Sequence, residues 1–181
     1  IGCLVGSEMC IRDSDGTDIK LETNRNLKAL YSPGHAKHHY TFYDEYSGTL
    51  FMGDTLGLIY PHGDFVQPNL PPPDFNKDIL FQTLDSFENL ELNKLAIAHF
   101  GIHENPNQLI NDAKENIENW LLFISNLKNL SNEEASNELV NWLINNYESL
   151  GIDNETINNY IGNGNFEMQV IGIRNYLEKV D

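Results

Sequence analysis

Positive charge is what this chain has least of: 11 Lys and Arg stand against 27 Asp and Glu, a formal net charge of −16 over 181 residues. That balance leaves no footprint for nucleic acid or for an anionic membrane surface, because both are gripped through clustered cations. Neither is expected as a partner. Long apolar runs are missing as well, none approaching the roughly 20 residues that span a bilayer. No internal repeat and no low-complexity linker interrupts the sequence, and its length suits about one domain with a real core.

Cysteine is nearly absent, and both examples, Cys3 and Cys10, fall at the very start. The stretch 1–14 has neither helical nor strand periodicity. It resembles translated adapter sequence of the kind found at the ends of reading frames assembled from metagenomic reads, and is expected to be a non-native tail outside the fold. The remaining chain has no cysteine, which fits a reducing compartment and a cytoplasmic location.

What the chain does have is alternating and helical periodicity in a clear order. Ile19 to Glu22 and Leu27 to Tyr31 read as strands. Tyr40 to Tyr43 and Thr49 to Met52 read as a hairpin rich in aromatic and β-branched residues. Leu56 to Pro73 is a loop, and Pro71-Pro72-Pro73 within it predicts a stiff surface segment, since proline cannot pair in a sheet centre. Asp74 is expected to cap a helix running to about Leu90, followed by a short buried strand at Lys94 to Ala98 and a loop at Gly101 to Glu104. Asn105-Pro106 predicts a capped helix of about six turns. Ser131 to Glu134 is a capping-box pattern, Asp153 caps a shorter helix to about Ile161, and a last helix runs from Phe166 to about Val180.

Three short motifs sit where apolar runs end: Ser32-Pro33-Gly34-His35, Gly53-Asp54, and Ala98-His99-Phe100-Gly101. Imidazole nitrogen and carboxylate oxygen are ligands that suit zinc, iron or manganese. Each motif alone is a common turn or a structural histidine. Three in this order, each after a strand, point to a metal site made of His35, Asp54 and His99.

The three motifs resemble those of the metallo-beta-lactamase superfamily of metal-dependent hydrolases: Ser32 to His39 is similar to its Pro-Gly-His segment, Leu50 to Leu56 to its Gly-Asp segment, and Ala96 to Gly101 to its last-histidine segment. The resemblance implies an α+β fold, an αββα four-layer sandwich incomplete at the N-terminus, with a helical C-terminal extension. It implies domain limits of 15–104 for the family-like part and 105–181 for the helical region packed on it. It further implies that His35 binds a first metal, that Asp54 bridges two ions and positions a hydroxide, and that His99 binds the second. Two zinc ions are expected in the full-length protein, with iron or manganese as other possibilities. The family's His-x-His-x-Asp-His motif does not occur in the chain. The chain is therefore expected to be the C-terminal portion of a longer enzyme, binding metal poorly and turning over nothing alone.

The function implied is hydrolysis of an ester, thioester or lactone in a small-molecule substrate by a metal-bound hydroxide. The alternatives are an iron-dependent oxidoreductase on the same fold, of sulfur dioxygenase or di-iron type, and a non-catalytic degenerate scaffold. His39, His62 and Tyr60 are candidates for roles beside the metals or the substrate, with Phe65 and Asp64 as further pocket candidates. His38 is expected to be structural, and His103 is expected not to be a ligand.

Overall fold

Burial that alternates residue by residue organises the first half of the chain. In β3 (Tyr40–Asp44) and β4 (Thr49–Gly53), Thr41, Tyr43, Leu50 and Met52 are buried, whereas Phe51 between the last two is 40% exposed. That is the pattern of strands with one face on a core. The computed structural model describes residues 15–21, 25–59, 65–99, 101–162 and 164–180. Residues 1–14, where a non-native tail is expected, lie outside them.

The described residues form one six-stranded sheet in the order β1-β2-β3-β4-β5-β6, completed by β1 (Thr17–Lys20), β2 (Asn26–Tyr31), β5 (Lys94–Ile97) and β6 (Ile102–His103). All neighbours run antiparallel except β4 and β5, which are parallel. A parallel pair needs a crossover connection, and helix α1 (Lys77–Ser86) lies on it. Tyr43, Leu50, Met52, Leu95 and Ile97 on one face share a single core with apolar residues of α1 and of α2 (Pro106–Ser125), α3 (Asn132–Ser149), α4 (Asn154–Gly162) and α5 (Phe166–Val180). The other face carries a row across five strands, Ala29, Phe42, Phe51, Ala96 and Ile102, set by the register of their pairing. The result is a mixed α+β fold of one six-stranded sheet and five helices among the described residues.

The helices form where spacing and caps favour them. α2 buries Ile110, Ala113, Ile117, Trp120, Leu121 and Ile124 along one stripe. α3 opens on a capping box in which the Ser131 hydroxyl and the Glu134 carboxylate each serve the other's backbone N–H. Asp153 accepts the backbone N–H of Thr156 at 2.9 Å and so caps α4.

Four expectations are corrected. Asn76, not Asp74, caps α1, accepting the N–H of Ile79 at 3.0 Å, while Asp74 turns instead to Lys37 at 3.1 Å. The helix ends at Ser86 and continues as a 3-10 turn over Phe87–Asn89. Asn105 precedes α2 in a left-handed conformation, φ 60°, which asparagine tolerates, and away from the extended backbone of a capping residue its side chain makes no cap hydrogen bond among the described residues. The loop expected at 101–104 contains β6, pairing with β5. Pro73 is exposed and Pro71 and Pro72 half-buried, while Leu70 before them is fully buried, with the Gly172 backbone of α5 against the Leu70 carbonyl.

Candidate metal centre

Parallel pairing explains why two residues 45 apart in sequence meet. Gly53 at the end of β4 lies in register with Ile97 at the end of β5, and the Ala98 N–H donates to the Gly53 carbonyl at 3.0 Å. Asp54 and His99 therefore leave the sheet at the same edge, with His99 Nε2 3.4 Å from Asp54 Oδ1. The Asp54 side chain is 35% exposed, but its Oδ1 is shielded from solvent and meets no hydrogen-bond donor among the described residues. A buried carboxylate oxygen without a donor is costly unless a cation or proton stands before it.

His35 reaches the region from the turn between β2 and β3. The turn is pressed onto α1: Thr83 donates to the Pro33 carbonyl at 2.7 Å, and the Asn76 N–H donates to the Gly34 carbonyl at 2.9 Å. Gly34 has φ 124°, and a Cβ there would meet the Leu80 backbone at 2.4 Å, so only glycine fits. The buried His35 ring places Nδ1 2.9 Å from the Asn69 carbonyl oxygen. A carbonyl only accepts, so Nδ1 carries the proton and Nε2 is the nitrogen left to offer a lone pair.

His39 joins the two halves. Its ring stands edge-on to that of His35 at 5.8 Å between centroids, while Nε2 accepts the Asp54 backbone N–H at 3.3 Å and Nδ1 lies 3.0 Å from Thr55 Oγ1. Both nitrogens are thus engaged in holding the turn that presents Asp54. Burial, followed by the neighbouring His35, pushes the His39 pKa down, opposed by the Asp54 charge. The neutral ring is the form those two hydrogen bonds require. Gly53 completes the turn at φ 53°, and a Cβ on it would fall 2.7 Å from His39 Nε2.

Other predicted residues fall elsewhere. His38 is exposed, and His103 lies in β6 opposite Leu95 with its Nε2 buried and without a hydrogen-bond partner among the described residues. Phe65 packs on Tyr147 at 4.4 Å and Tyr160 at 5.4 Å, at the edge of a cavity of about 250 Å³ between α2 and α3. Tyr60, His62 and Asp64 lie outside the described residues. Among the described residues no three His, Cys, Asp or Glu side chains stand together as a metal cage. The pairings are instead His35 with His39, His39 with the Asp54 backbone, and Asp54 with His99. Sequence reasoning missed Asn69 and Thr55, whose contacts depend on a carbonyl and a hydroxyl that no spacing announces.

A family model for the metallo-beta-lactamase superfamily matches residues 9–99. No curated protein sequence matches the chain. Among solved structures, a metallo-beta-lactamase family protein from Thermus thermophilus superposes with a TM-score of 0.63 at 20% identity, covering 92% of this chain and 48% of that one. A beta-lactamase domain protein from Burkholderia ambifaria gives 0.60 at 14% identity, over 92% and 46%. An archaeal metallo-beta-lactamase superfamily protein from Sulfolobus tokodaii gives 0.54 at 21% identity, over 88% and 49%. The chain spans about half the length of these structures.

Proposed function

Because this chain belongs to the metallo-beta-lactamase superfamily, we propose that it carries part of the metal centre of a metal-dependent hydrolase acting on a small-molecule ester, thioester or lactone. The observation that carries the reading is the shielded, donorless Asp54 Oδ1 facing His99 Nε2 at 3.4 Å. Carboxylate and imidazole are a donor set that fits zinc, and the tautomer of His35 leaves its Nε2 lone pair available as a third ligand. His35, Asp54 and His99 would hold the metal, the two carboxylate oxygens of Asp54 allowing it to span two ions.

A divalent ion bound there supplies Lewis-acid polarisation of a carbonyl and a hydroxide nucleophile at neutral pH. The protein's own part is orientation. His39 and Gly53 fix the turn that aims Asp54, the Asn69 carbonyl fixes the His35 ring, and the β4–β5 pairing fixes the approach of His99. Three ligands are fewer than two catalytic ions require, so this chain alone is a partial centre.

Zinc titrated into the chain tests this, read by competition with a chromophoric chelator and by side-chain NMR. Weak binding that dialysis removes is expected, with shifts at His35, Asp54 and His99 and no turnover of model esters, thioesters or lactones above zinc in buffer. Asp54→Ala is expected to weaken binding at least about 10-fold. Zinc affinity unchanged in Asp54→Ala refutes the site, and two equivalents retained through dialysis refute the partial centre.

A further inference from the structure

The amide side chain of Gln169 on α5 is nearly buried, and both its ends are used on one short segment far away in sequence. Its Oε1 accepts the backbone N–H of Leu70, and its Nε2 donates to Asn69 Oδ1 at 3.2 Å. The Leu70 N–H and the Asn69 C=O belong to the same peptide group, and in a trans peptide they point in opposite directions. One side of that group therefore meets Gln169, and the other side takes the Nδ1 proton of His35 at 2.9 Å. The path from α5 to the imidazole is a single chain of hydrogen bonds through one peptide plane.

We infer that Gln169 is a positioning residue for His35, clamping the Asn69–Leu70 peptide so that the ring is held in the tautomer whose Nε2 is free to ligate. The inference rests on the ligand role given to His35 under the proposed function. Two physical effects act together. Accepting from the Leu70 N–H polarises the peptide and strengthens the Asn69 carbonyl as an acceptor, since hydrogen bonds in series reinforce one another. The clamp also removes rotational freedom from the peptide plane, which otherwise sets where the His35 proton finds its partner. Groups that orient a metal-binding histidine through its second nitrogen tune both its tautomer and its basicity.

The remainder of α5 shows that this contact is built into the fold. Gly172, one turn beyond Gln169, lies where any Cβ would strike the Leu70 carbonyl oxygen at 1.8 Å. Tyr176 donates to Asp78 at 3.0 Å and packs on Phe75 at 5.6 Å. Lys179 reaches the Pro73 carbonyl at 3.5 Å. Residues at 169, 172, 176 and 179 recur at helical spacing, so one face of α5 lies along the segment from Asn69 to Asp78.

The test reads the tautomer directly. Long-range ¹H–¹⁵N correlation spectra of zinc-free, ¹⁵N-labelled chain at pH 8 are expected to show His35 protonated at Nδ1 alone. Gln169→Met fills the same space without donor or acceptor, and is expected to release His35 to a mixture of both tautomers while far-UV circular dichroism stays native. Gln169→Glu restores the acceptor for Leu70 and is expected to recover the single tautomer. A His35 ring that keeps Nδ1–H in Gln169→Met overturns the inference, as does a mixture of tautomers in the wild type. Should Gln169→Met fail to fold, Gln169→Glu decides: loss of the single tautomer in that folded variant overturns the clamp. Zinc added to the wild type separates the two readings. Shifts at Asp54 and His99 with none at His35 refute the ligand role of His35, while a single Nδ1–H tautomer that depends on Gln169 still supports the clamp.

Discussion

Replacing Gly172 with alanine sets two well-measured effects against each other. Gly172 lies inside α5, and alanine in a helix interior is favoured over glycine by about 1 kcal/mol. Propensity alone therefore predicts a more stable protein. The contact predicts the reverse: the new Cβ would lie 1.8 Å from the Leu70 carbonyl oxygen and 3.2 Å from the Pro71 carbonyl carbon. Ordinary van der Waals contact needs about twice the first distance. The obstacle is backbone, so no rotamer relieves it, and either α5 or the buried Leu70 segment has to move. Forcing a methyl into a packed interior costs about 1–3 kcal/mol, and more where the backbone must shift. Net of the helical gain, Gly172→Ala is expected to lose about 1–2 kcal/mol, which for a chain of this size lowers Tm by roughly 2–8 °C. Urea denaturation at constant m-value measures it, with Gly162→Ala as control, since a Cβ there meets nothing within 4 Å. A midpoint that rises in Gly172→Ala refutes the reasoning.

Two further outcomes are expected. Asp44 is fully buried, paired with Arg25 and accepting from Ser47, and its pKa is lowered to about 2, first by the hydrogen bond to Arg25. A depressed carboxylate stabilises the fold above its ordinary value near pH 4, and the contribution is lost as pH falls toward 2. Screening at the 40% exposed Arg25 side chain reduces its size to about 1–2 kcal/mol, so Asp44→Asn should lose that much at pH 7 and flatten the acid limb of a pH–stability curve. An unchanged acid limb contradicts the assignment. Gly53→Ala forces a side chain into φ 53° and against His39 Nε2. It should cost about 1–2 kcal/mol in stability and about 10-fold in zinc affinity, read by thermal unfolding and chelator competition. Equal affinity in the two proteins would separate His39 from the site.

The elements with strong periodicity were legible from sequence: the strands around Phe42 and Leu50, the α2 stripe from Ile110 to Ile124, and the Ser131 and Asp153 caps. Two residues, Ile102 and His103, are too few to show a period, so β6 was invisible. Asp74 and Asn76 are both good capping types, and local pattern does not separate them; in the structure Asn76 caps α1 while Asp74 pairs with Lys37. The motifs marked His35, Asp54 and His99 as candidates, because strand ends and turn glycines leave a signature. The engagement of His39 with the Asp54 N–H left none, since it depends on a backbone direction that exists only after the Gly53 turn forms. Asn69 and Gln169 stand 100 residues apart, and no local pattern links them.

That separation has a consequence for vectorial synthesis. On the ribosome the sheet strands and the turn bearing His35 emerge long before α5, so a nascent chain can pair β2 with β3 while the Asn69–Leu70 peptide is still free to swing. The imidazole acquires its fixed orientation only when the helix carrying Gln169 docks. Premature termination or proteolytic clipping ahead of α5 would strip Phe166, Val170, Ile173 and Tyr176 from the core and leave the Asn69–Leu70 peptide without its Gln169 partner.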